Sequence, residues 1–415
     1  LAGELARRGI PFDDQAGPIR SHVSGWSSVE LRPYQSAALA AWAVAGRRGL
    51  VVLPTGSGKT SVAIAAMAAQ GEPSLCLVPT RILLAQWADE IGKVYSGEVG
   101  RLGDGARVLA DVTIATFESA YRWGPAIGRR FGLLVVDEAH HFGKGVRDEA
   151  LEMSVAARRL GLTATPGDVP ETLGRLAELI GPVVFEQAIA DLAGKWLAEF
   201  DLFTLTLPLT DQERRAYEGE LQVYRPFRLR FVECFPDAPW REFLRVAAHT
   251  DEGRRAIAAW RTARKILSFT RAKAGALRDL LERHGDSRVL VFTAENETAY
   301  TVAREHLVMP ITCDIGRAER SEAVSRFARG ELGALVSSRV LNEGFDVPEA
   351  DVAVVLGGWG GDREYVQRIG RILRPRPGKR ARIYELVSGD TLEVAQSFRR
   401  RSRLAARTTA PRHRG

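Results

Sequence analysis

Leu50-Val51-Val52-Leu53-Pro54-Thr55-Gly56-Ser57-Gly58-Lys59-Thr60 runs from four apolar residues into a glycine-rich turn, and a helix is predicted to open at Ser61. The apolar run reads as a buried strand. The turn reads as a phosphate-binding loop, because Gly56 and Gly58 let backbone N–H groups converge on phosphate oxygens without a Cβ in the way. Thr55, Ser57 and Thr60 complete the loop. Lys59 is placed to reach terminal phosphates, and the Thr60 hydroxyl is placed to join a magnesium ion. The general pattern carries an earlier glycine where this chain has Leu53, so the motif is a shortened Gly-x-Gly-Lys-Thr.

A second apolar run, Leu133-Leu134-Val135-Val136, ends in Asp137-Glu138-Ala139-His140. Four consecutive apolar residues suit a central parallel strand covered on both faces. Acidic residues at its C-terminal end fall where α/β sheets bind ligands. Asp137 then suits Mg²⁺, and Glu138 suits orienting and deprotonating an attacking water.

Outward from these two motifs, short apolar runs alternate with helical patterns at 50–53, 75–78, 112–115, 133–136 and 159–162. That is the rhythm of a doubly wound parallel sheet. A further strand is predicted at 202–209. Residues 210–270 differ, being helical in pattern and dense in arginine and aromatics: Tyr217, Tyr224, Phe227, Phe231, Trp240, Phe243 and Trp260. They read as an inserted helical element. The α/β rhythm resumes at 289–292, 334–336, 352–356 and 383–386, without a second phosphate loop.

Further motifs fall in order along this frame. Leu31-Arg32-Pro33-Tyr34-Gln35 precedes the loop. Gln35 is expected to read an adenine edge, since its amide both donates and accepts, and Arg32 is counted with it. Thr80-Arg81 and Thr116 follow strands and are candidates for gripping a phosphate backbone, as is Ser338. Thr163 and Thr165, with His140, are expected to couple hydrolysis to movement. Gly344 and Asp346 are counted as nucleotide contacts from the second half. Gln367, Arg371 and Arg374 share one helix face by their spacing. Lys59 and Mg²⁺ alone leave the charge developing on the γ-phosphate incompletely neutralised, so these arginines are read as fingers supplied by a second domain.

Composition fits this reading. A chain of 415 residues with 45% apolar content suggests two or three domains. No stretch reaches membrane-spanning length and no secretory leader is visible, although the chain begins at Leu1. Cys76, Cys234 and Cys313 are isolated, which gives no disulfide framework, zinc site or iron–sulfur cluster and points to the cytoplasm. The net charge of +7 is matched by seven arginines without an acid in 399–415, read as a basic tail that either contacts nucleic acid or is simply disordered.

Taken together, and in this order, the motifs resemble those of a superfamily 2 helicase or translocase over residues 31–390. The likeness is greatest to the XPB helicases, particularly their compact archaeal and bacterial forms. Leu134-Val135-Val136-Asp137-Glu138-Ala139-His140-His141, Val336-Ser337-Ser338-Arg339-Val340-Leu341-Asn342-Glu343-Gly344 and Tyr365-Val366-Gln367-Arg368-Ile369-Gly370-Arg371-Ile372-Leu373-Arg374-Pro375 carry it. The resemblance implies two RecA-like domains, at 31–200 and 271–390, with a thumb-like helical insertion and connecting strand over 201–270. Residues 1–30 resemble the remnant of an N-terminal damage-recognition-like domain, and 391–415 form the tail. It further implies use of ATP and Mg²⁺, 3′→5′ tracking on DNA, a role in nucleotide excision repair and a partner nuclease. An RNA helicase or remodelling ATPase, a translocating subunit of a restriction or defence system, and a nucleotide-gated clamp stay open as alternatives. The family's Arg-Glu-Asp run is absent after Thr165, where Pro166-Gly167-Asp168-Val169-Pro170-Glu171 stands. ATPase and translocation are therefore expected ahead of strand separation.

Overall fold

Continuous apolar runs become strands where a sheet is covered on both faces. The computed structural model, which describes residues 22–145, 147–167, 169–338, 350–357 and 380–405, places the runs of the first half in such a sheet. The chain divides into two compact units, the first reaching Leu197 and the second beginning at Ala198.

In the first unit the strands are β1 (Arg48–Val52), β2 (Ser74–Val78), β3 (Val99–Gly103), β4 (Ala106–Val108), β5 (Val112–Thr116), β6 (Leu133–Val136), β7 (Arg158–Thr163) and β8 (Val183–Glu186). They form one sheet in the order β4-β3-β5-β2-β6-β7-β1-β8. All neighbours are parallel except the β3–β4 hairpin. Every residue of β2, β5 and β6 is buried. Alternate side chains Leu75, Leu77, Leu134 and Val136 pack with Phe117, Phe131, Phe142 and Leu151 in one core. Strand β7 lies between β1 and β6, so the loop after β1 and the acids after β6 flank its C-terminal end.

The second unit contains β9 (Glu199–Leu207), β10 (Val289–Phe292), β11 (Met309–Ile311), β12 (Ala334–Ser337), β13 (Val352–Leu356) and β14 (Arg380–Ser388). Their order is β11-β12-β10-β13-β14-β9, and every pairing among the described residues is parallel. The strand expected at 202–209 is therefore no mere connector. It is β9, an edge strand running beside β14 from Glu199 opposite Arg380 to Leu207 opposite Ser388.

The inserted helices Asp211–Cys234, Trp240–Ala248 and Asp251–Ser268 follow β9. Thr210 and Glu213 form a capping box at the start of the first, and the other Glu213 oxygen accepts the Arg271 N–H at 2.8 Å. One glutamate thus joins the two ends of the insertion. Its aromatics surround the fully buried Phe243: Trp240, Phe231, Phe227 and Tyr224 lie with ring centroids 4.8, 5.2, 5.9 and 6.2 Å away. They form a small core, with the Arg228 guanidinium 5.0 Å from the Phe243 ring.

Residues 392–405, expected within the basic tail, are helical over Leu392–Ala405. Two buried ion pairs involve this helix: Lys273 with Glu393 at 2.7 Å and Arg400 with Glu385 at 3.3 Å. The Ser388 N–H also donates to Glu393, and Ser397 donates to Glu385. Arg400, one of the arginines counted in the basic tail, is thus buried and paired. Among the described residues no helix is long and apolar enough to cross a membrane.

Lys273 is completely buried, so removing its partner strands a charge out of water. Glu393→Ala is expected to cost about 3–5 kcal/mol in urea unfolding of the second unit. Pairing Lys273→Met with Glu393→Leu is expected to recover part of that loss.

Candidate functional site: the loop after β1 and the acids after β6

Gly56 and Gly58 sit at φ +82° and +78°, in the left-handed region where a side chain is strained. At Gly58 a Cβ would also lie 2.5 Å from the Gln35 Nε2. Gln35 is buried, and its amide donates to the carbonyls of Ser57 at 2.9 Å and Gly58 at 3.1 Å, while accepting the Arg32 N–H at 2.8 Å. Tyr34 donates its hydroxyl to the Ser57 carbonyl as well. The amide expected to read an adenine edge thus gives its NH2 end to two loop carbonyls, while its oxygen accepts the N–H of Arg32, which precedes the loop. Arg32 reaches the Trp196 carbonyl at 3.3 Å and lies over the Trp196 ring. Within the loop, Ser57 donates to the Pro54 carbonyl at 2.6 Å and Lys59 to the Leu53 carbonyl at 3.2 Å. The Thr55 hydroxyl is buried without a hydrogen-bond partner among the described residues. Thr60 lies in the first turn of the helix Lys59–Gln70.

Across β7, Asp137 is 7% exposed. One carboxylate oxygen accepts the Trp87 Nε1–H at 2.9 Å, and the other accepts the Glu138 N–H at 2.9 Å. Burial first, and then the Glu138 charge, push this carboxyl up from its usual 3.8 to about 6; Lys59 and the two donors pull it back down. Glu138 itself has φ +47°, an uncommon conformation for a residue with a side chain. Its carboxylate lies 3.3 Å from His140 Nδ1, which is 3.1 Å from the Thr163 hydroxyl. That hydroxyl donates to the Thr165 carbonyl at 3.0 Å and accepts the Thr165 N–H at 3.2 Å. The Thr163 carbonyl accepts the Leu53 N–H at 3.0 Å. The three residues expected to couple thus form one chain from Glu138 to the end of β7, and its backbone touches the loop.

Thr80 caps the helix Arg81–Gly92, accepting the Leu83 N–H, and Thr116 caps the helix Phe117–Ile127, accepting the Ser119 N–H. Val78 pairs with Thr116 across β2 and β5, so these two helix starts are neighbours. Unpaired N–H groups at helix starts suit phosphate. Arg81 lies 3.4 Å from Asp104. In the second unit, Ser338 donates to Asn296 Oδ1 at 2.5 Å, and Asn296 donates to Asp314 at 2.8 Å. Gly344, Asp346, Gln367, Arg371 and Arg374 lie outside the described residues.

Sequence reasoning passed over Trp87, Tyr34 and Asn296. Tyr34 was within a quoted motif but without a role. Trp87 gives only a helix-core signal, and Asn296 only its place shortly after a strand end.

No group of three or more His, Cys, Asp or Glu side chains suited to a metal occurs among the described residues. Magnesium is commonly held by one or two carboxylates together with substrate phosphates. The left-handed glycines, Lys59, Thr60 and the buried Asp137 fit a magnesium–nucleotide pair.

Comparison with known proteins adds the following. Residues 28–168 match the family described as "Type III restriction enzyme, res subunit", and residues 272–376 match the "Helicase conserved C-terminal domain". The DNA 3′-5′ translocase XPB2 of Sulfurisphaera tokodaii is 34% identical over 90% of this chain and 85% of its own. The DNA 3′-5′ helicase XPB of Mycobacterium tuberculosis is 31% identical over 97% and 69% respectively. The crystal structure of the Pyrococcus furiosus Hef helicase domain superposes with a TM-score of 0.58 at 20% identity, covering 89% of this chain and 98% of that one, which is a likeness of fold.

The raised pKa of Asp137 predicts a stability cost. A carboxyl that binds its proton more tightly when folded adds stability below its unfolded value, and that stability is lost as the pH rises through the folded value of about 6. The melting-temperature difference between Asp137→Asn and the parent is therefore expected to move in favour of the variant as the pH rises through about 6, on top of a pH-independent cost from the one acceptor oxygen that the amide lacks. Thermal unfolding across that window checks it.

Proposed function

We propose that this chain, which belongs to the XPB family of DNA 3′–5′ helicases and translocases, hydrolyses ATP with Mg²⁺ to drive 3′–5′ movement on DNA in repair of the nucleotide-excision type. The observation that carries the reading is the 34% identity to a translocase along 85% of that relative's length. The geometry of the first unit supports the ATPase part of it.

The backbone N–H groups of the Gly56–Gly58 turn are the proposed cradle for the phosphates. Lys59 exchanges its contact with the Leu53 carbonyl for the terminal phosphates. Thr60 and Asp137 would hold the magnesium ion, which when bound would neutralise phosphate charge. Glu138 accepts a proton from the attacking water as the water oxygen bonds to the γ-phosphorus and the bond to the β–γ bridging oxygen breaks, leaving ADP and phosphate. His140, Thr163 and Thr165 carry the change at Glu138 into the end of β7. From the second half, Arg371 and Arg374 are the proposed source of further positive charge on the γ-phosphate, with Gln367 as a neutral polar partner and Gly344 and Asp346 beside the nucleotide. Thr80, Arg81, Thr116 and Ser338 are the proposed grips on a DNA backbone. Domain limits at 31–200, 201–270 and 271–390 go with this reading, as do a cytoplasmic setting and a separate nuclease chain for any incision.

Lys59→Ala and Glu138→Gln are expected to abolish turnover by different routes. Lys59→Ala weakens ATP binding, because a cation facing the phosphates is gone. Glu138→Gln keeps ATP binding but loses about 10²–10⁴-fold in rate, because the base is gone. DNA-stimulated ATPase assays beside equilibrium ATP binding separate the two, and full turnover in Glu138→Gln would sink the assignment. Arg371→Ala and Arg374→Ala are expected to lower kcat by about 10³-fold with a smaller effect on ATP affinity. An unchanged kcat in both would remove these arginines from the proposed site.

A further inference from the structure

Trp87 lies in the middle of the helix Arg81–Gly92, buried to 2% exposure. A buried tryptophan brings a demand that leucine or phenylalanine does not: its N–H needs an acceptor. Here the acceptor is a carboxylate oxygen of Asp137, fifty residues away in sequence, at 2.9 Å. The other Asp137 oxygen takes the Glu138 N–H at the same distance. Each oxygen has one donor, so rotation of the carboxylate breaks at least one hydrogen bond, in a place where water barely replaces it. Groups that orient a metal-binding side chain in this way commonly change metal affinity by about 10–100-fold when lost.

We propose that Trp87 is a positioning residue for magnesium: its N–H holds the Asp137 carboxylate in one orientation and so sets how readily the protein takes up the ion with its nucleotide. The inference rests on Asp137 being the magnesium carboxylate. The competing role is bulk alone, the indole filling space beside β6.

Two substitutions divide these roles. Trp87→Phe keeps an aromatic ring and removes the N–H. Trp87→His keeps a five-membered ring whose Nε2–H falls where the indole N–H was, and removes the bulk of the second ring. The measurement is binding of a fluorescent, non-hydrolysable ATP analogue to the full chain over a range of Mg²⁺, and again in EDTA, with melting temperatures alongside. Trp87→Phe is expected to raise the Mg²⁺ needed for half-maximal binding by about tenfold or more, with binding in EDTA unchanged. Trp87→His is expected to keep the parental Mg²⁺ requirement while melting lower, because it leaves a cavity. An unchanged Mg²⁺ requirement in Trp87→Phe, or one that follows lost bulk instead of the lost N–H, overturns the proposal; Trp87→Phe alone decides if Trp87→His does not fold. Asp137→Asn distinguishes the underlying reading. If its Mg²⁺ requirement matches the parent's, Asp137 is not the magnesium carboxylate. If it shifts while that of Trp87→Phe does not, only the role of Trp87 falls.

Discussion

Asp137 is an acid held where water barely reaches, at the end of a strand whose four residues are all buried. Burying a carboxylate is costly unless hydrogen bonds and opposite charge offset it. Here the offset comes from an indole N–H, a backbone N–H and the nearby Lys59 charge. The offset is incomplete, since the carboxyl remains shifted upward. Much of the local architecture follows from that compromise. The helix Arg81–Gly92 must lie close enough to bring Trp87 to β6, which also places its capped start, Thr80, beside that of the next helix. Glu138 takes a left-handed conformation, a local strain of the kind found where geometry serves chemistry.

Strand β7 ties the two halves of the site together. It separates β1 from β6, and its last residue, Thr163, meets Leu53 just after β1 and His140 beyond the end of β6. The Thr163 carbonyl receives the Leu53 N–H of the loop, and the Thr163 hydroxyl lies against His140 and closes on Thr165. A displacement on either side therefore meets the same residue. Gln35 plays a similar part on the far side of the loop, where its amide spans two loop carbonyls and the Arg32 N–H. Gly58 has to be glycine on two counts, its positive φ and the amide packed against it.

The second unit relies on different means. Lys273, Glu393, Arg400 and Glu385 lie within 3% exposure, and their pairing fastens the C-terminal helix where apolar residues alone do not. Among the described residues most of the remaining ion pairs are exposed, such as Arg230 with Glu252, and contribute little. The insertion owes its shape to a Glu213 that joins both ends and to aromatic packing around Phe243. Leu229, Phe235 and Trp240 are left partly or well exposed along it.

The central strands were legible because burial on both faces demands an unbroken apolar run, and the runs at 133–136 and 289–292 coincide with β6 and β10. The strands that escaped, β3, β4, β8 and β11, lie at or next to the sheet edges, where one side is less covered and the composition is mixed. For the same reason β9 looked like a connector, since no local pattern announces that β14, which pairs with it, arrives some 180 residues later. The loop at 54–60 and the acids at 137–138 were legible as candidates because each is a contiguous run whose residue types and short internal spacing suit phosphate chemistry. Their supports were not. The Trp87 indole, the Thr163 hydroxyl and the Gln35 amide are ordinary helix and strand residues until folding brings each within 3.1 Å of its partner. Local sequence determines which groups can react, because reactivity belongs to residue type and short spacing. Orientation depends on contacts between residues 22, 23 and 50 positions apart, and only the packed tertiary structure decides those.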